Sequence, residues 1–414
     1  MSGGGNIHKL LDETIRRERG WLISSLVSKL GPAKVELAED VAQDAIVKAL
    51  ATWPYKGVPD NPRAWLRRVA GNAAIDRVRR DAREFGVDEN WEFGQIDPDV
   101  VTPSLSDPEL DLMVLCCDPA IAPQDQLFLA LKTVCGFTAA ETAALFFMQE
   151  DALSQRLSRA KRTLKTQSGE LARYPTRFAL KVRLPQLLKV IYLMFAWGYL
   201  PQRGDVLFRE DICREAVRLS EGLMSQTQGS ANGHHALHAL LLFQMARLPA
   251  RADQTGELLT LEEQDRTQWD QEMISEGFKH LQAAQASQEI TRYHLEAGIA
   301  SLHAQTKMWT ATPWPAIERF YEMLFDKAPS LAVLINWAVS LIMLDELDRA
   351  AAKLEEAALR PHATRFPAYH LARAQLAMRL NRDAETRSAI EAAKACQTSG
   401  PVANYIDREL SLVG

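Results

Sequence analysis

Apolar residues recur at helical spacing along most of this chain. In residues 7–30, Leu10, Leu11, Ile15, Leu22, Ile23, Leu26, Val27 and Leu30 predict the inner side of a helix that Gly31-Pro32 ends. In the next helix Val41, Ala45 and Ala49, with Ile46 and Leu50, form the apolar stripe, which leaves Asp40, Gln43, Asp44 and Lys48 on the solvated side. From Trp53 to Pro62 three prolines and Gly57 predict a loop with no regular element across it. Asn61 suits an N-cap and Pro62 a first helical turn. The third helix then carries Trp65, Leu66, Val69, Ala73 and Ile75 to Val78 inward, with Arg63, Arg67, Arg68, Asn72, Arg77, Arg79 and Arg80 on its other faces.

Residues 84–110 lose the periodicity. Gly86, Gly94, Pro98, Pro103 and Pro108 stand there among acidic side chains, which predicts a linker. Periodicity returns over 111–170. Thr138 has the capping-box spacing to Glu141, a turn around Met148-Gln149 follows, and the helix from Glu150 to Lys165 buries Leu153, Leu157, Ala160 and Leu164. Its outer face carries Ser154, Gln155, Arg156, Ser158, Arg159, Lys161 and Arg162. A basic second helix after a tight turn is the helix-turn-helix pattern, which places that helix in the major groove. The rest of the chain reads as helical. Ala316, Ala350 and Ala384 fall 34 apart, as do Phe320 and Leu354, the period of a tetratricopeptide array, although Ser388, Trp337 and Gln375 fit it poorly. Residues 186–300 show no period, and the stretch from Leu248 to Thr260 suits a small hairpin. The fold class is therefore all-α: a helical domain over 7–83, a linker over 84–110, a helix-turn-helix domain over 111–170 and a degenerate tetratricopeptide-like array over 186–414.

At 414 residues the chain exceeds the roughly 250 that one core serves. The net charge of −5 hides a segregation. Arg63 to Arg83 holds seven Arg against two Asp, while Glu84 to Leu131 holds eleven acidic residues and no Lys or Arg. Local charge is the informative quantity. Five cysteines in neither a metal spacing nor an even framework suit a reduced cytoplasmic setting, and the longest apolar run, Val190 to Trp197, is too short for a membrane span. There is no phosphate-binding glycine loop, nucleophile elbow or catalytic carboxylate pair, so neither an enzyme nor a cofactor is expected. His234, His235 and His238 share helix faces without a third ligand and read as core or solvated histidines rather than a metal site. Glu262, Glu263 and Asp265 are expected to pair with Arg247 or Arg251.

Several of these segments resemble one known family. Ala38-Glu39-Asp40 with Gln43-Asp44, then Pro62-x-x-Trp65-Leu66, Ala70-x-Asn72 and Ile75-Asp76-Arg77-x-Arg79-Arg80 are similar to region two of bacterial extracytoplasmic-function (group IV) sigma factors. Gln155-Arg156-Leu157-x-Arg159-Ala160-Lys161-Arg162 resembles region four. Asp211-Ile-Cys213-Arg-Glu215-Ala216-x-Arg218-Leu219, Ala246-Arg247-x-Pro249-Ala250-Arg251 and Trp314-Pro315-x-Ile317 resemble a subfamily with a tetratricopeptide-like C-terminal extension. The chain departs from it at Ala196-Trp197, Met245 and Trp337, where relatives carry polar or charged groups.

The resemblance implies a non-enzymatic RNA polymerase subunit that selects promoters. Glu39, Asp40, Gln43 and Asp44 would dock on core RNA polymerase. Trp53, Tyr55, Lys56, Asn61, Arg63, Arg67, Arg68, Asn72, Arg79 and Arg80 would hold the minus-ten region, with arginines on phosphate and aromatics on an unpaired base. Ser154, Gln155, Arg156, Ser158, Arg159, Lys161 and Arg162 would read the minus-thirty-five element, and the acidic linker would run toward the RNA exit path. The extension would act in cis, with no separate anti-sigma factor. The rival class is a helix-turn-helix regulator with a sensor or scaffold domain, which leaves the acidic face at Glu39–Asp44 and the aromatic loop without a role.

Overall fold

The computed structural model describes residues 18–85, 107–167, 177–201, 204–227, 233–287, 289–396 and 398–412. The expected helix over 7–17 and most of the expected linker lie outside them. The fold is all-α, and among the described residues the only β pairing is an isolated bridge between Ala252 and Leu258. The chain forms two compact units, one of residues 1–194 with 221–228 and one of residues 195–220 with 229–414.

In the first unit, helix α1 (residues 18–30) stops at Gly31, whose φ of 85° lies in the left-handed region that glycine adopts without strain. A 3-10 turn, Pro32–Lys34, leads into α2 (Val35–Lys56), which packs along α3 (Pro62–Phe85). The buried stripe of α2 is Ala38, Val41, Ala42, Ala45, Ala49 and Trp53. Small residues let α3 approach, and Trp53 fills the widening space at the end. Leu50 therefore turns outward, 47% exposed, contrary to its expected place in the core, and Val47 lies beside it at 57%.

The expected loop from Trp53 is shorter than the prolines suggested. Pro54 is accommodated in the last turn of α2, where few backbone hydrogen bonds remain to be lost. The helix closes at Gly57, whose N–H bonds the Trp53 carbonyl at 2.9 Å. On α3 the fully buried positions are Leu66, Ala70 and Ala74, a rotation from the expected stripe, and Trp65, Val69 and Val78 are half-buried.

The same unit continues with α4 (Pro108–Cys116), α5 (Pro123–Thr133), α6 (Ala139–Leu145) and α7 (Glu150–Gln167). Asp107 caps α4 by accepting the Glu109 N–H. At α6 the capping box forms as expected: Glu141 N–H donates to Thr138 Oγ1 and Thr138 N–H to Glu141 Oε2. The turn after α6 places Phe147 at φ 53°, with Phe147 N–H on Ala144 and Met148 N–H on Ala143, a Schellman closure. Helix α7 buries Leu153, Leu157, Ala160 and Leu164, as its spacing predicts. Helix α8 (Arg177–Tyr199) starts nine residues before the expected boundary at 186. Its Arg183 donates to the Val114 carbonyl at the end of α4 (2.8 Å) and to Asp118 (2.5 Å), so the compact unit runs on past residue 170.

The second unit takes in the end of α8 and most of α9 (Glu210–Thr227). It continues with α10 (His234–Ala246), α11 (Gln271–Ala284), α12 (Arg292–Ala304), α13 (Trp314–Lys327), α14 (Leu331–Met343), α15 (Leu347–Ala358), α16 (Pro367–Arg379), α17 (Asp383–Lys394) and α18 (Gly400–Leu412). The starts of α13, α15 and α17 are 33 and 36 residues apart (347 − 314 and 383 − 347), so consecutive helix pairs stack at nearly constant period. Of the three spaced alanines only Ala350 enters the core; Ala316 is half-buried and Ala384 exposed. Core contacts come instead from Leu334, Ala338, Leu341 and Leu354, and from Ala389, Ile390 and Ala393. The small hairpin expected near 248–260 is present, closed by Asp253 N–H on Glu257 and Leu259 N–H on Arg251. Glu263 pairs with Arg408 of α18 at 2.8 Å, not with Arg247 or Arg251 as expected. Arg251 donates to the Tyr199 carbonyl and lies 3.9 Å from the centre of that ring, and Arg247 lies over Trp269.

Candidate nucleic-acid interface

The charged faces grow out of helix periodicity. On α2, burial of the alanine stripe forces Asp40, Gln43 and Asp44 into solvent, followed one turn on by the exposed apolar pair Val47 and Leu50. Leu50 passes for core in the sequence because it alternates with the alanines and is the larger. Glu39 behaves differently. Its carboxylate pairs with Lys161 and accepts from Thr133 Oγ1 at 3.2 Å, leaving its side chain 12% exposed.

On α3, Arg67, Arg68, Asn72, Arg79 and Arg80 are exposed, with Arg77 and Asp76 between them. Arg63 is not part of this face. Its Nε is 2.5 Å from the Glu18 carboxylate and its guanidinium lies 4.5 Å from the Trp21 ring centre. Asn61 is exposed and caps α3 by accepting the Ala64 N–H at 2.9 Å. Trp53, expected to stack on a base, is 2% exposed and meets Trp65 edge-on at 5.4 Å between ring centres. Its place on the inner stripe of α2 accounts for this. Tyr55, 89% exposed, is the aromatic the segment presents to solvent, beside exposed Lys56.

On α7, Ser154, Gln155, Ser158, Arg159 and Arg162 are exposed. Ser158 donates to the Ser154 carbonyl at 3.0 Å. Arg156 is held within the domain: it donates to Asp125 at 2.5 Å and Gln124 at 2.9 Å and lies 4.7 Å from the Phe128 ring centre. Lys161 is held by Glu39. Lys165, which sequence analysis passed over, is exposed, and with Arg162 and Lys161 it lines a cavity of about 250 Å3 against Val35 and Glu36.

Elsewhere, two histidines of α10 are buried in hydrogen bonds. His234 bonds the Ser220 carbonyl at 3.0 Å and His238 the Ser220 hydroxyl at 3.0 Å, and burial brings the two down to about 4 and about 3. Among the described residues no cluster of His, Cys, Asp and Glu is arranged to hold a metal. Burial pushes the Cys117 and Cys213 thiols up to about 12, far from a reactive thiolate. No helix among the described residues is long and apolar enough to cross a membrane.

Residues 14–84, which contain the acidic face of α2 and the arginine face of α3, match the family model of sigma-70 region 2. That match supports the class of a sigma-70 factor and suggests a role in transcription initiation. Residues 183–285 match a family of unknown function (DUF6596). An uncharacterized protein of Rhizobium meliloti (strain 1021) is 32% identical over 418 residues, covering 95% of this chain and 96% of that protein, and the chain belongs to the same family. No solved structure matches the chain.

Proposed function

We propose that this is an extracytoplasmic-function sigma factor that brings core RNA polymerase to its promoters and carries its own regulatory C-terminal half. The observation that carries the reading is the pair of opposed faces within the region-2 match: carboxylates on α2, arginines on α3. Asp40, Gln43 and Asp44, with Val47 and Leu50, offer a rimmed apolar patch to a protein partner. Arg67, Arg68, Arg79 and Arg80 supply phosphate contacts for the minus-ten strand, and Tyr55 supplies a stacking ring. Gln155, Arg159 and Arg162 of α7 are the exposed base and phosphate readers for the minus-thirty-five element, in helix-turn-helix fashion. The tetratricopeptide-like pairing of α13 to α18 suits a groove for a peptide segment, and the extension acts in cis on the sigma half.

The test is transcription with purified core polymerase on a library of upstream regions. Specific initiation that requires both this protein and core is expected. Sequence-specific DNA binding at equal strength without core, and no transcription with it, would favour a helix-turn-helix repressor or activator instead.

A further inference from the structure

Three arginines of the second unit stand without a counter-charge. Among the described residues no carboxylate pairs with Arg247, Arg251 or Arg266. The acidic side chains next to them in sequence are engaged elsewhere: Asp265 accepts the Thr267 N–H at 3.0 Å, Asp270 accepts the Met273 N–H at 2.9 Å, and Glu263 pairs with Arg408. Arg251 and Arg266 are buried and held by carbonyls, Arg251 by that of Tyr199, Arg266 by those of His303 at 3.0 Å and Thr306 at 2.9 Å. Carbonyl oxygens satisfy N–H groups but leave a net charge in place. Arg247 is half-buried. Its Nη1 donates to Gln244 Oε1 at 3.1 Å, while its Nε is buried with no protein acceptor. Trp269, 3% exposed, touches two of the guanidiniums: Cζ of Arg247 is 5.5 Å and Cζ of Arg266 5.1 Å from its ring centre. Its indole N–H also lacks an acceptor, and Nδ1 of His303, 7% exposed, lacks any partner. Burial, with Arg247 and Arg266 nearby, brings His303 down to about 3, so the ring is neutral. Half-buried Trp309 and Trp314 complete the wall, the first stacked on His303 at 6.3 Å and the second edge-on to it at 5.6 Å.

We propose that this cluster binds the oxyanion head, carboxylate or phosphate, of a small ligand with a planar apolar body. The head takes the Nε edge of Arg247 and the Trp269 N–H, donors on two side chains in contact that nothing else in the protein uses. A guanidinium presents parallel N–H bonds to such a group, and the bonds are charge-assisted. The same anion supplies the counter-charge that Arg247, Arg251 and Arg266 lack, and a buried charge left unpaired is costly to keep. The apolar body lies against Trp309 and Trp314. A purely structural contact between Arg247 and Trp269 accounts for the ring packing alone. It leaves the two unmatched nitrogens and the accumulated charge without a reason. All these residues belong to the second unit and lie outside the faces assigned to polymerase and DNA. The proposal therefore stands apart from the sigma-factor reading and gives the C-terminal half a chemical input.

The test is thermal unfolding of the full chain at constant ionic strength, titrated with benzoate, with phenyl phosphate and with benzamide, the uncharged match to benzoate. A ligand that binds only the folded form raises Tm in a saturable way. Such a rise is expected with at least one of the two anions and not with benzamide. Tighter binding of benzoate assigns a carboxylate head and tighter binding of phenyl phosphate a phosphate head, and either ranking supports the site. Arg247→Gln should weaken that binding about 100-fold, since it removes both the charge and the fork. The ligand-free Tm of this variant should be unchanged or higher, because one of three like charges is gone; a purely structural arginine would lower it. Trp269→Phe keeps the ring and removes only the N–H, and about 10-fold weaker binding is expected. No saturable rise with either anion, an equal rise with benzamide, or wild-type affinity in both variants would overturn the proposal. Should Arg247→Gln fail to fold, unchanged affinity in Trp269→Phe would overturn it alone.

Discussion

Replacing Trp53 separates a core residue from a promoter-melting one. The ring lies 2% exposed at the end of the α2 stripe, in an edge-on contact with Trp65. Truncation of a buried tryptophan costs about 3–5 kcal/mol, through lost burial and the cavity left behind. For a unit of this size that corresponds to a fall in Tm on the order of 10 °C. Trp53→Phe is the informative companion. The indole N–H has no protein partner, so phenylalanine loses some volume but also removes an unsatisfied donor, and a change within about 1 kcal/mol is expected.

Tyr55→Ala should behave in the opposite way. At 89% exposure it contributes little to folding, within about 0.5 kcal/mol, while a lost base-stacking contact would cost about 1–3 kcal/mol in promoter opening. Thermal denaturation followed by circular dichroism gives the first quantity. Fluorescence of 2-aminopurine placed in the minus-ten strand, with core polymerase present, gives the second. A Trp53→Ala protein with wild-type Tm that cannot open the promoter would refute the core assignment and restore Trp53 to the stacking surface.

Two further substitutions and one titration follow from the same geometry. Arg159→Ala, at an exposed position, should reduce discrimination between cognate and scrambled minus-thirty-five elements by about 1–3 kcal/mol, roughly 5- to 150-fold in competition binding. Arg156→Ala should instead lower folding stability by about 1–2 kcal/mol, because its links to Asp125, Gln124 and Phe128 lie inside the domain; an equal loss of discrimination from both variants would contradict this. His234 at about 4, His238 at about 3 and His303 at about 3 are depressed by burial from an ordinary 6.5, so the folded form keeps them neutral while the unfolded chain takes up protons. Their contribution is fully present above pH 6.5 and is lost as the pH falls toward 4, at up to about 1.4 kcal/mol per pH unit for each; urea midpoints of the second-unit transition that do not fall between pH 7 and pH 5 would refute it.

Helix existence and type were legible in the chain because burial on one face imposes a period, and α7 and the Thr138–Glu141 box follow it residue by residue. What periodicity cannot fix is the phase of a stripe that mixes small and large apolar residues. On α2 the choice lay between Leu50 and the alanines, and close packing against α3 selects the smaller set. The 34-residue alanine spacing failed in part for the same reason. It tracks where α13, α15 and α17 begin, yet each helix is rotated differently against its neighbours, so only Ala350 reaches the core.

Site residues follow a harder rule, since a charged side chain shows its helix face in the sequence but not its partner. Arg63, Arg156 and Lys161 all stand on outward faces by spacing, and all three are claimed by carboxylates from elements 31 to 122 residues away. Glu39 differs from Asp40 by a single position, one residue of helical rotation, which is enough to turn it from solvent toward Thr133 and Lys161. The acidic face is thereby divided, with Asp40, Gln43 and Asp44 exposed and Glu39 held by Thr133 and Lys161. A surface serving only to dock on a partner would leave all four exposed. A surface serving only to join two subdomains would bury the whole set, with Val47 and Leu50 beside it. The observed division, one carboxylate held and three polar groups exposed, meets neither extreme.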